Sequence, residues 1–462
     1  MFRHAFSPWR RPYPLFLGGL ALCTAIPPAA AQGTQPGGFA GADSVIRVGP
    51  DRPVVINARG LATIEPYLVA DPRNSNHLVG GVFLVAKLGD PRNPNFEMDM
   101  TCAALTSVDA GQTWTRHDFP VKGCGDPWVA MLPSGAAVFL TLGRSELTAY
   151  RSADGGGNWN DSPVRFGRSF DHGTLAVDAT GGRFAGSVYV VSHESIRDSG
   201  GARRSAVFVA RSADGGQTFN QRARIVPSNL LTFADNPVVL SDGVLVVPFV
   251  SYVRHTIDEG RTDLMWSVTS ADGGATFSAP RYLAECAGHW GQLAADASAG
   301  RFRDRLYWAC WDRSKRSIYV YHSSNRGETW SAPVAVNRGS GLVQTAAIAV
   351  NREGIVGVSW YDAREDPREY LGPFRCQYVY FSASLDGGQT FLPDVKVSSA
   401  ENCPDTPANG EAGRRWVAGG DYHGLAAAAD GRFHLLWADS REGIYQLRTG
   451  TIDVDGRVSV AR

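Results

Sequence analysis

The chain has no excess of charge of either sign. Lys and Arg together number 45, and so do Asp and Glu. Proteins that bind nucleic acid or an anionic membrane surface carry a basic excess, so neither partner is expected. The sequence also lacks an apolar run long enough to span a bilayer, a P-loop, a Rossmann glycine motif, a Gly-x-Ser-x-Gly elbow and a His-Glu-x-x-His motif. Nucleotide-binding proteins, serine hydrolases of the elbow type and zinc proteases are thereby disfavoured. The fold has to be inferred from the repeated sequence motifs.

The first 31 residues have the parts of a secretory signal peptide. A basic start is followed by the short apolar run Leu15 to Ile26 and by Ala29-Ala30-Ala31. We therefore predict a signal peptide at 1–31, a mature chain that begins near Gln32, and a flexible lead-in at 32–44. The protein is expected to be exported, either to a periplasm or to the medium.

Six cysteines remain beyond the predicted signal peptide, and they fall into neighbouring pairs. In an exported protein an even number favours disulfides. Six cysteines allow 15 pairings, and we favour the three between neighbours. A zinc site is the alternative, although no Cys-x-x-Cys spacing is present. The favoured pairs are Cys102–Cys124, Cys286–Cys310 and Cys376–Cys403.

One octapeptide, Ser-x-Asp-x-Gly-x-Thr-Trp/Phe, occurs six times with small variations. The short Asp side chain can accept hydrogen bonds from the following backbone, and Gly supplies a positive φ, so the two together favour a tight turn. Thr and the aromatic residue then restart a strand. Each copy therefore predicts a β-hairpin, and Asn325 replaces Asp in the fifth. The copies start at Ser107, Ser152, Ser212, Ser270, Ser323 and Ser384.

These octapeptides resemble the Asp boxes, or bacterial neuraminidase repeats, of the sialidase-like β-propellers. The resemblance runs from about residue 45 to the C-terminus. It implies an all-β fold, a single β-propeller of four-stranded antiparallel blades at 45–462. It also implies that the boxes join the third and fourth strands, away from the substrate. The box aspartates are therefore expected to be structural.

Seven polar openings, each followed by a short apolar strand, recur along the chain. They favour seven blades, with six as the alternative. The last opening has no box, so its missing strand is expected from Val45–Val48 or from Val458–Val460, which would close the ring. The openings are Glu65-Pro66-Tyr67, Asp126-Pro127-Trp128, Asp171-His172-Gly173, Asp235-Asn236-Pro237, His289-Trp290-Gly291, Gln344-Thr345-Ala346 and Asp421-Tyr422-His423.

The first strand of a propeller blade lines the central channel, so the seven openings are expected to converge on one mouth. Carboxylates, imidazoles and indoles in one concavity are typical of a site for carbohydrate or another polar ligand. The alternative is that the aspartates cap turns and the aromatic residues plug the channel. The candidate catalytic residues are Asp126, Asp171, Asp235, Asp421, His172, His289 and Tyr422. The candidate substrate-binding residues at the mouth are Glu65, Trp128, Trp290 and His423.

A second repeated pattern places Asp and Arg two residues apart after a strand that contains Trp. It occurs at Asp362 and Arg364 and again at Asp439 and Arg441. Arg binds planar anions through two parallel hydrogen bonds, so Arg364 and Arg441 are candidates for recognising an anionic ligand. The alternative is a structural latch between Asp and Arg on the rim of the blade.

Sialidases share an arginine triad, whose first member lies in an Arg-Ile-Pro motif, together with a Tyr nucleophile, a Glu and an Asp. This chain has no Arg-Ile-Pro. The triad is therefore not transferred to particular residues. The resemblance still favours an enzyme, a glycoside hydrolase of exo-sialidase-like type that uses two carboxylates or a Tyr–carboxylate pair.

Two other functions stay open. A polysaccharide lyase would need a His or Tyr base, and a non-catalytic propeller would bind a glycan or protein without turnover. No cofactor is expected, although histidines and aspartates of the mouth could hold a divalent metal ion. The expected partner is a glycan or another polar or anionic small ligand, and we expect a monomer.

Overall fold

The computed structural model describes residues 45–456, except 57, 59, 89–97, 198, 226–230, 253–262, 287–290 and 313. The side chains of 87, 88, 98, 203, 231, 252 and 263 are likewise outside the description. The predicted signal peptide and lead-in therefore lie outside the described residues, and so do His289 and Trp290. No helix among the described residues is long and apolar enough to cross a membrane.

Seven antiparallel sheets form the blades of a propeller, so the prediction of seven blades is confirmed. The first two strands, β1 Ile46–Val48 and β2 Arg52–Pro53, belong to the last blade. Blade 1 contains β3 Ala62–Asp71, β4 Asn74–Leu88, β5 Met98–Ser107 and β6 Thr115–Phe119. Blade 2 contains β7 Cys124–Met131, β8 Ala137–Gly143, β9 Glu146–Ser152 and β10 Val164–Arg168. Blade 3 contains β11 Phe170–Val177, β12 Val188–Arg197, β13 Arg203–Ser212 and β14 Gln221–Ile225.

In blade 4 the inner strand is split in two. Blade 4 contains β15 Leu231–Ala234, β16 Val238–Val239, β17 Leu245–Tyr252, β18 Asp263–Ser270 and β19 Arg281–Cys286. Blade 5 contains β20 Gln292–Ala295, β21 Leu306–Asp312, β22 Ser317–Ser323 and β23 Val334–Ala335. Blade 6 contains β24 Val343–Val350, β25 Val356–Asp362, β26 Tyr378–Ser384 and β27 Val395–Lys396. Blade 7 contains β28 Gly424–Ala427, β29 Phe433–Asp439 and β30 Gln446–Val454, followed by β1.

Helix is confined to two short pieces among the described residues. They are the 3₁₀ helix Glu369–Phe374 and α1 Gly410–Arg415. The core lies between neighbouring blades, where the second strands of blades 5, 6 and 7 are buried along their whole length. Each of these strands carries a fully buried tryptophan, at 308, 360 and 437. Large aromatic side chains there fill the wedge between twisted sheets.

Each octapeptide forms a turn between the third and fourth strands of its blade, as expected. In the third copy, Ser212 Oγ donates to Asp214 Oδ1 over 2.6 Å and accepts the N–H of Gly216 over 2.8 Å. Asp214 also accepts the N–H of Thr218 over 2.9 Å and its hydroxyl over 2.6 Å. The Asn325 copy keeps this turn, because Asn325 Oδ1 accepts from the Thr329 N–H over 3.0 Å.

The ring is closed by the N-terminal strand. β1 pairs antiparallel with β30, with Ile46 opposite Val454 and Val48 opposite Ile452. Of the two expected sources for the last strand, the N-terminal one is therefore confirmed, and 458–460 lies outside the described residues. Asp51, just after β1, accepts hydrogen bonds from Arg448 and pairs with Arg441, which fastens the closing segment to blade 7.

All three predicted disulfides are present. Cys102–Cys124 joins blade 1 to blade 2, and Cys286–Cys310 joins blade 4 to blade 5. Cys376–Cys403 instead joins two connecting segments, one inside blade 6 and one between blades 6 and 7. Covalent links between neighbouring blades stabilise the fold, because they reduce the number of conformations open to the unfolded chain.

Candidate functional site

The openings and the Asp boxes lie at opposite ends of the blades. In blade 6, Asp362 pairs with Val343 at the start of the inner strand, whereas Ser384 of the box pairs with Val356 at the far end of β25. The inner strands contact one another around the ring, so their openings meet on one face. We call this face the mouth.

The openings of four blades share an unusual backbone. Glu65, Asp126, His172 and Thr345 have φ values of 51°, 48°, 50° and 39°, and each lies where the register of its strand pair shifts. A positive φ costs a residue with a Cβ about 1–2 kcal/mol. Bulges of this kind redirect side chains, and they cluster near functional sites. The mouth is thus a place where the blades depart from regular pairing.

Three aromatic side chains form the floor of the mouth: Tyr67, Trp128 and Tyr422. The rings of Tyr67 and Trp128 stack with centroids 3.6 Å apart and planes 23° apart. The ring of Tyr422 stands at 65° to Trp128, 5.3 Å away. Trp128 and Tyr422 are 2% and 3% exposed, so both rings are buried. Plugging by aromatic residues, the alternative considered from the sequence, therefore describes part of their role.

Glu65 lies deep in the mouth, only 2% exposed. Its Oε1 accepts the backbone N–H of Asp421 over 3.3 Å, which links blade 1 to blade 7. Burial, together with the negative charges of Asp126 and Asp421, raises the pKa of Glu65 well above its usual value, and the charge of Arg415 opposes this. At neutral pH a carboxyl in this position tends towards its protonated form.

Asp171 is a half-buried carboxyl on the neighbouring side of the mouth. Burial, together with the negative charges of Asp126 and Asp421, raises its pKa to about 6 against the opposing charge of His172. A carboxyl with a pKa near neutrality can give up and take back a proton at physiological pH. Among the mouth acids, Asp171 thus has the properties of a general acid.

His172 lies beside the carboxylate of Asp126, with Nδ1 3.8 Å from Oδ1. Burial lowers the pKa of His172, but the nearby carboxylate of Asp126, with the charges of Asp235 and Asp171, outweighs burial and raises that pKa overall. The imidazole is therefore favoured in its charged form. Asp126, 22% exposed at its side chain, keeps access to the mouth.

Tyr422 is held as a neutral phenol. Burial raises its pKa well above the usual value, and the charges of Glu65, Asp126 and Asp421 add to the effect. Its hydroxyl donates to the carbonyl oxygen of Pro127 over 3.2 Å. A phenol that donates to a carbonyl among carboxylates is poorly suited to act as a nucleophile.

Two other predicted mouth residues lie deeper in the structure. Asp235 is 1% exposed in the split inner strand of blade 4, where its charge acts on His172. His423 is fully buried, with its ring nitrogens near Ser359 Oγ at 2.7 Å and Thr345 Oγ1 at 3.3 Å. Burial lowers the pKa of His423 to about 3, so this ring is neutral. A role in substrate binding for His423 stays a prediction.

Arg364 and Arg441 form matching latches in blades 6 and 7. Arg364 Nη2 lies 2.6 Å from Asp362 and 2.8 Å from Asp394. Arg441 Nη2 lies 2.7 Å from Asp439 and, as in the ring closure, pairs with the carboxylate of the N-terminal segment. Each guanidinium is thus paired with two carboxylates of the protein, which is the structural alternative raised above. Anion recognition by either arginine stays a prediction.

Sequence reasoning did not single out Tyr67 or Arg415. Tyr67 follows an acid and a proline, as Trp128 does, so the shared acid-Pro-aromatic triplet of two openings was the available signal. Arg415 ends α1, with its guanidinium 4.8 Å from the ring of Trp416, and its charge acts on Glu65. No sequence pattern connects that short helix to the first blade.

No metal site stands out among the described residues. The one group of potential ligands within mutual reach there consists of Cys376, Glu401 and Cys403, and its two cysteines form a disulfide. The histidines and aspartates that we expected as metal ligands are not all seen together. His423 contacts blade 6, and His289 lies outside the described residues. A metal ion at the mouth stays a prediction.

Comparisons with known proteins agree with this architecture. A family model described as a BNR repeat-like domain matches residues 185–364, from blade 3 into blade 6. No curated protein sequence matches the chain.

Several solved structures are similar to this chain at low identity. A protein of unknown function from Dyadobacter fermentans DSM 18053 is 13% identical, with a TM-score of 0.50, over 89% of this chain and 99% of its own. The GH93 α-L-arabinofuranosidase of Fusarium graminearum is 10% identical, with a TM-score of 0.49, over 87% and 97%. The Hadza microbial sialidase Hz136 is 13% identical, with a TM-score of 0.46, over 88% and 91%. With six Asp-box turns and seven blades among its described residues, the chain is a seven-bladed β-propeller that resembles the sialidase-like Asp-box propellers.

Proposed function

We propose that this protein is a glycoside hydrolase that cleaves its substrate at the mouth by means of two carboxylates. The observation that carries the proposal is Asp171, a half-buried carboxyl whose pKa is raised to about 6 beside the ion pair of Asp126 and His172. Glycosidases need one acid that stays protonated near neutral pH and one carboxylate that stays ionised. Asp171 meets the first requirement, and Asp126, the partner of His172, is our candidate for the second.

In the proposed mechanism, Asp171 donates its proton to the glycosidic oxygen as the bond to the anomeric carbon breaks. Asp126 acts on the other side. It either attacks the anomeric carbon, after which water activated by the deprotonated Asp171 hydrolyses the glycosyl ester and restores both acids, or it activates a water molecule that attacks this carbon directly. The charged imidazole of His172 lies beside Asp126 and is its positive partner. Of the three rings of the floor, Tyr67 is the partly exposed one, and it offers flat apolar surface of the kind that sugar rings contact. Glu65 supports this arrangement by its bond to the backbone of blade 7.

Two rival mechanisms fit the mouth less well. A Tyr nucleophile is disfavoured because the Tyr422 hydroxyl donates to a carbonyl and burial raises its pKa. A lyase with His172 as its base is disfavoured because the carboxylates around this ring outweigh the effect of burial and favour its protonated form. An exo-sialidase-like reaction remains one member of the proposed class, carried out here with a carboxylate in place of Tyr.

The test is product analysis with aryl glycosides of neutral pentoses, neutral hexoses and sialic acid, together with uronate-containing polysaccharides. We expect release of the aryl group and of reducing sugar from at least one glycoside. Appearance of an unsaturated uronate product would replace the proposal by a lyase. Binding of an oligosaccharide without any product would leave a non-catalytic propeller.

We also propose that the protein is exported. The support is the presence of three disulfides, which persist in oxidising compartments. Expression of the full chain in a Gram-negative host should give a processed protein in the periplasm or medium whose first residue is Gln32. An unprocessed chain confined to the cytoplasm would contradict export.

A further inference from the structure

An exposed tyrosine stands beside the mouth on blade 6. Tyr370 is 83% exposed, and it lies on the 3₁₀ helix Glu369–Phe374. This helix belongs to the connection between β25 and β26, residues 363–377, which we call the rim loop. The connection leaves the end of β25 that carries Asp362, so the rim loop lies on the same face as the openings.

The rim loop is fixed by ion pairs on both sides of Tyr370. Glu369 pairs with Arg316 of the neighbouring blade over 3.0 Å and with Arg375 over 3.0 Å. The Arg375 side chain is only 4% exposed, and it also donates to the carbonyl oxygen of Ala363 over 2.7 Å. A buried guanidinium bonded to both ends of a loop holds its backbone in one conformation.

A second set of bonds fixes the end of the rim loop. Asp366 accepts the N–H of Cys376 over 2.7 Å and the Nε–H of Arg368 over 2.8 Å. Cys376 is in turn bonded to Cys403 in the segment that leads to blade 7. Tyr370 is therefore an exposed ring on a cross-linked support, and little conformational entropy is lost when a ligand binds to it.

The rim loop also contacts the mouth directly. Gln344, part of the blade 6 opening, donates from Nε2 to the carbonyl oxygen of Pro373 over 3.3 Å. Gln377 donates to the carbonyl oxygen of Val417 over 3.3 Å, in the segment that continues to Asp421. A ligand that extends from the mouth over blade 6 would therefore meet this loop.

We propose that Tyr370 is the centre of an outer sugar subsite, which binds a unit of an oligosaccharide or polysaccharide whose end occupies the mouth. The inference rests on the proposed function for the role of the mouth. An exposed rigid ring offers a sugar its flat face and its hydroxyl. The guanidiniums of Arg316, in the neighbouring blade, and of Arg368, on the rim loop, are 43% and 45% exposed and provide donors for sugar hydroxyls.

The experiment compares wild type, Tyr370→Ala and Tyr370→Phe with Tyr282→Ala as a matched control. Tyr282 is also an exposed tyrosine, 49% exposed, but it lies on the outer strand of blade 4. Each protein is assayed on an aryl monoglycoside and on a longer oligosaccharide of the same sugar. Each is also run on native gels that contain branched arabinan, galactan, xylan or hyaluronan. Thermal melting confirms that all variants fold.

We expect Tyr370→Ala to raise KM for the oligosaccharide about 3–10-fold, the effect of one aromatic contact, with kcat and the monoglycoside unchanged. Tyr370→Phe should keep most of the affinity, and the control should match wild type. Equal KM values for wild type and Tyr370→Ala would overturn the subsite and leave the hydrolase standing. If no glycoside is cleaved, the hydrolase fails. In that case, retardation of wild type by a polysaccharide gel that only Tyr370→Ala abolishes would still support the subsite. Equal migration of wild type and Tyr370→Ala in every gel would overturn the subsite.

Discussion

Carboxylates at the box end and at the mouth end of the propeller are held in opposite ways, as Asp154 and Asp171 show. At the box end, Asp154 accepts the N–H of Asn158, the hydroxyl of Ser152 and the side-chain amide of Asn158, and these bonds lower its pKa to about 2. At the mouth end, burial and neighbouring negative charge raise the pKa of Asp171 to about 6. The same residue type is thus stabilised as an anion at one end and destabilised as an anion at the other.

The difference lies in where the partners come from. Every partner of Asp154 is within four residues along the chain, so the turn is specified by one octapeptide and can be copied from blade to blade. The interactions of Asp171 reach Asp126 in one neighbouring blade and Asp421 across the ring. Repetition therefore marks the structural end of this propeller, and departure from repetition marks the end that we assign to function.

The largest expected effect is that of Asp171→Asn on catalysis. The amide has the shape of the carboxyl but cannot donate a proton, so we expect kcat to fall about 10²- to 10⁴-fold, the usual contribution of general acid catalysis. Loss should be smallest for substrates with good aryl leaving groups, because these need less protonation. The measurement is kcat on two aryl glycosides that differ in leaving-group pKa.

The control for that variant is Asp214→Asn at the other end of a blade. It makes the same chemical change in a turn that the fifth box already builds with Asn325. Its kcat should stay within twofold of wild type. A similar loss of activity from both substitutions would mean that the contrast between the two ends is false.

A smaller effect, now on stability, is expected from Asp214→Ala. The substitution removes the acceptor for the N–H groups of Gln217 and Thr218 and for two hydroxyls. By analogy with helix N-caps and single hydrogen bonds, the free energy of unfolding should fall by about 2–3 kcal/mol. Chemical denaturation measures the change, and kcat should be unaffected. A stable Asp214→Ala variant with reduced kcat would reverse the roles given to the two ends.

The same contrast explains how much the sequence could predict. The turns, the blade number and the disulfides rest on local patterns. Examples are the hydrogen bonds that Asp214 accepts from residues three and four positions on, and cysteines separated by 22, 24 and 27 residues. Those predictions are confirmed. The resemblance to sialidase-like propellers followed from the same octapeptides.

The candidate site was predicted only as a set of residues at one face. Which acid gains a raised pKa depends on burial and on charges from other blades, and neither can be read from one strand. Arg364 shows the limit. The sequence places Asp362 two residues before it, but the second carboxylate, Asp394, is 30 positions away and comes from the connection before β27. The local sequence pattern therefore could not predict that Arg364 pairs with both carboxylates.

A still smaller effect concerns the dependence of stability on pH. Asp171 has a raised pKa in the folded protein, so the folded state binds more protons than the unfolded state between pH 4 and 6. Its contribution to stability therefore falls as pH rises through this window. Asp171→Asn should remove this fall and be more stable than wild type at pH 7 by about 1–2 kcal/mol, with no difference near pH 4. Denaturation of both proteins at pH 4, 5, 6 and 7 tests the sign, which a variant less stable at pH 7 would contradict.

The smallest effect should come from restoring the fifth box with Asn325→Asp. In the natural turn the Asn325 side chain donates to the Thr329 hydroxyl over 2.9 Å, whereas in four of the other boxes a carboxylate accepts from the corresponding Thr hydroxyl. Hydrogen bonds to a charged acceptor are stronger, so the free energy of unfolding should rise by less than about 1 kcal/mol at pH 7. Since the new carboxylate would have a lowered pKa when folded, as Asp154 has, the gain should disappear as pH falls below about 4. A gain in stability that persisted at pH 2 would not come from the charge of the carboxylate. The view that each box turn stabilises the ionised form of its own Asp would then be wrong.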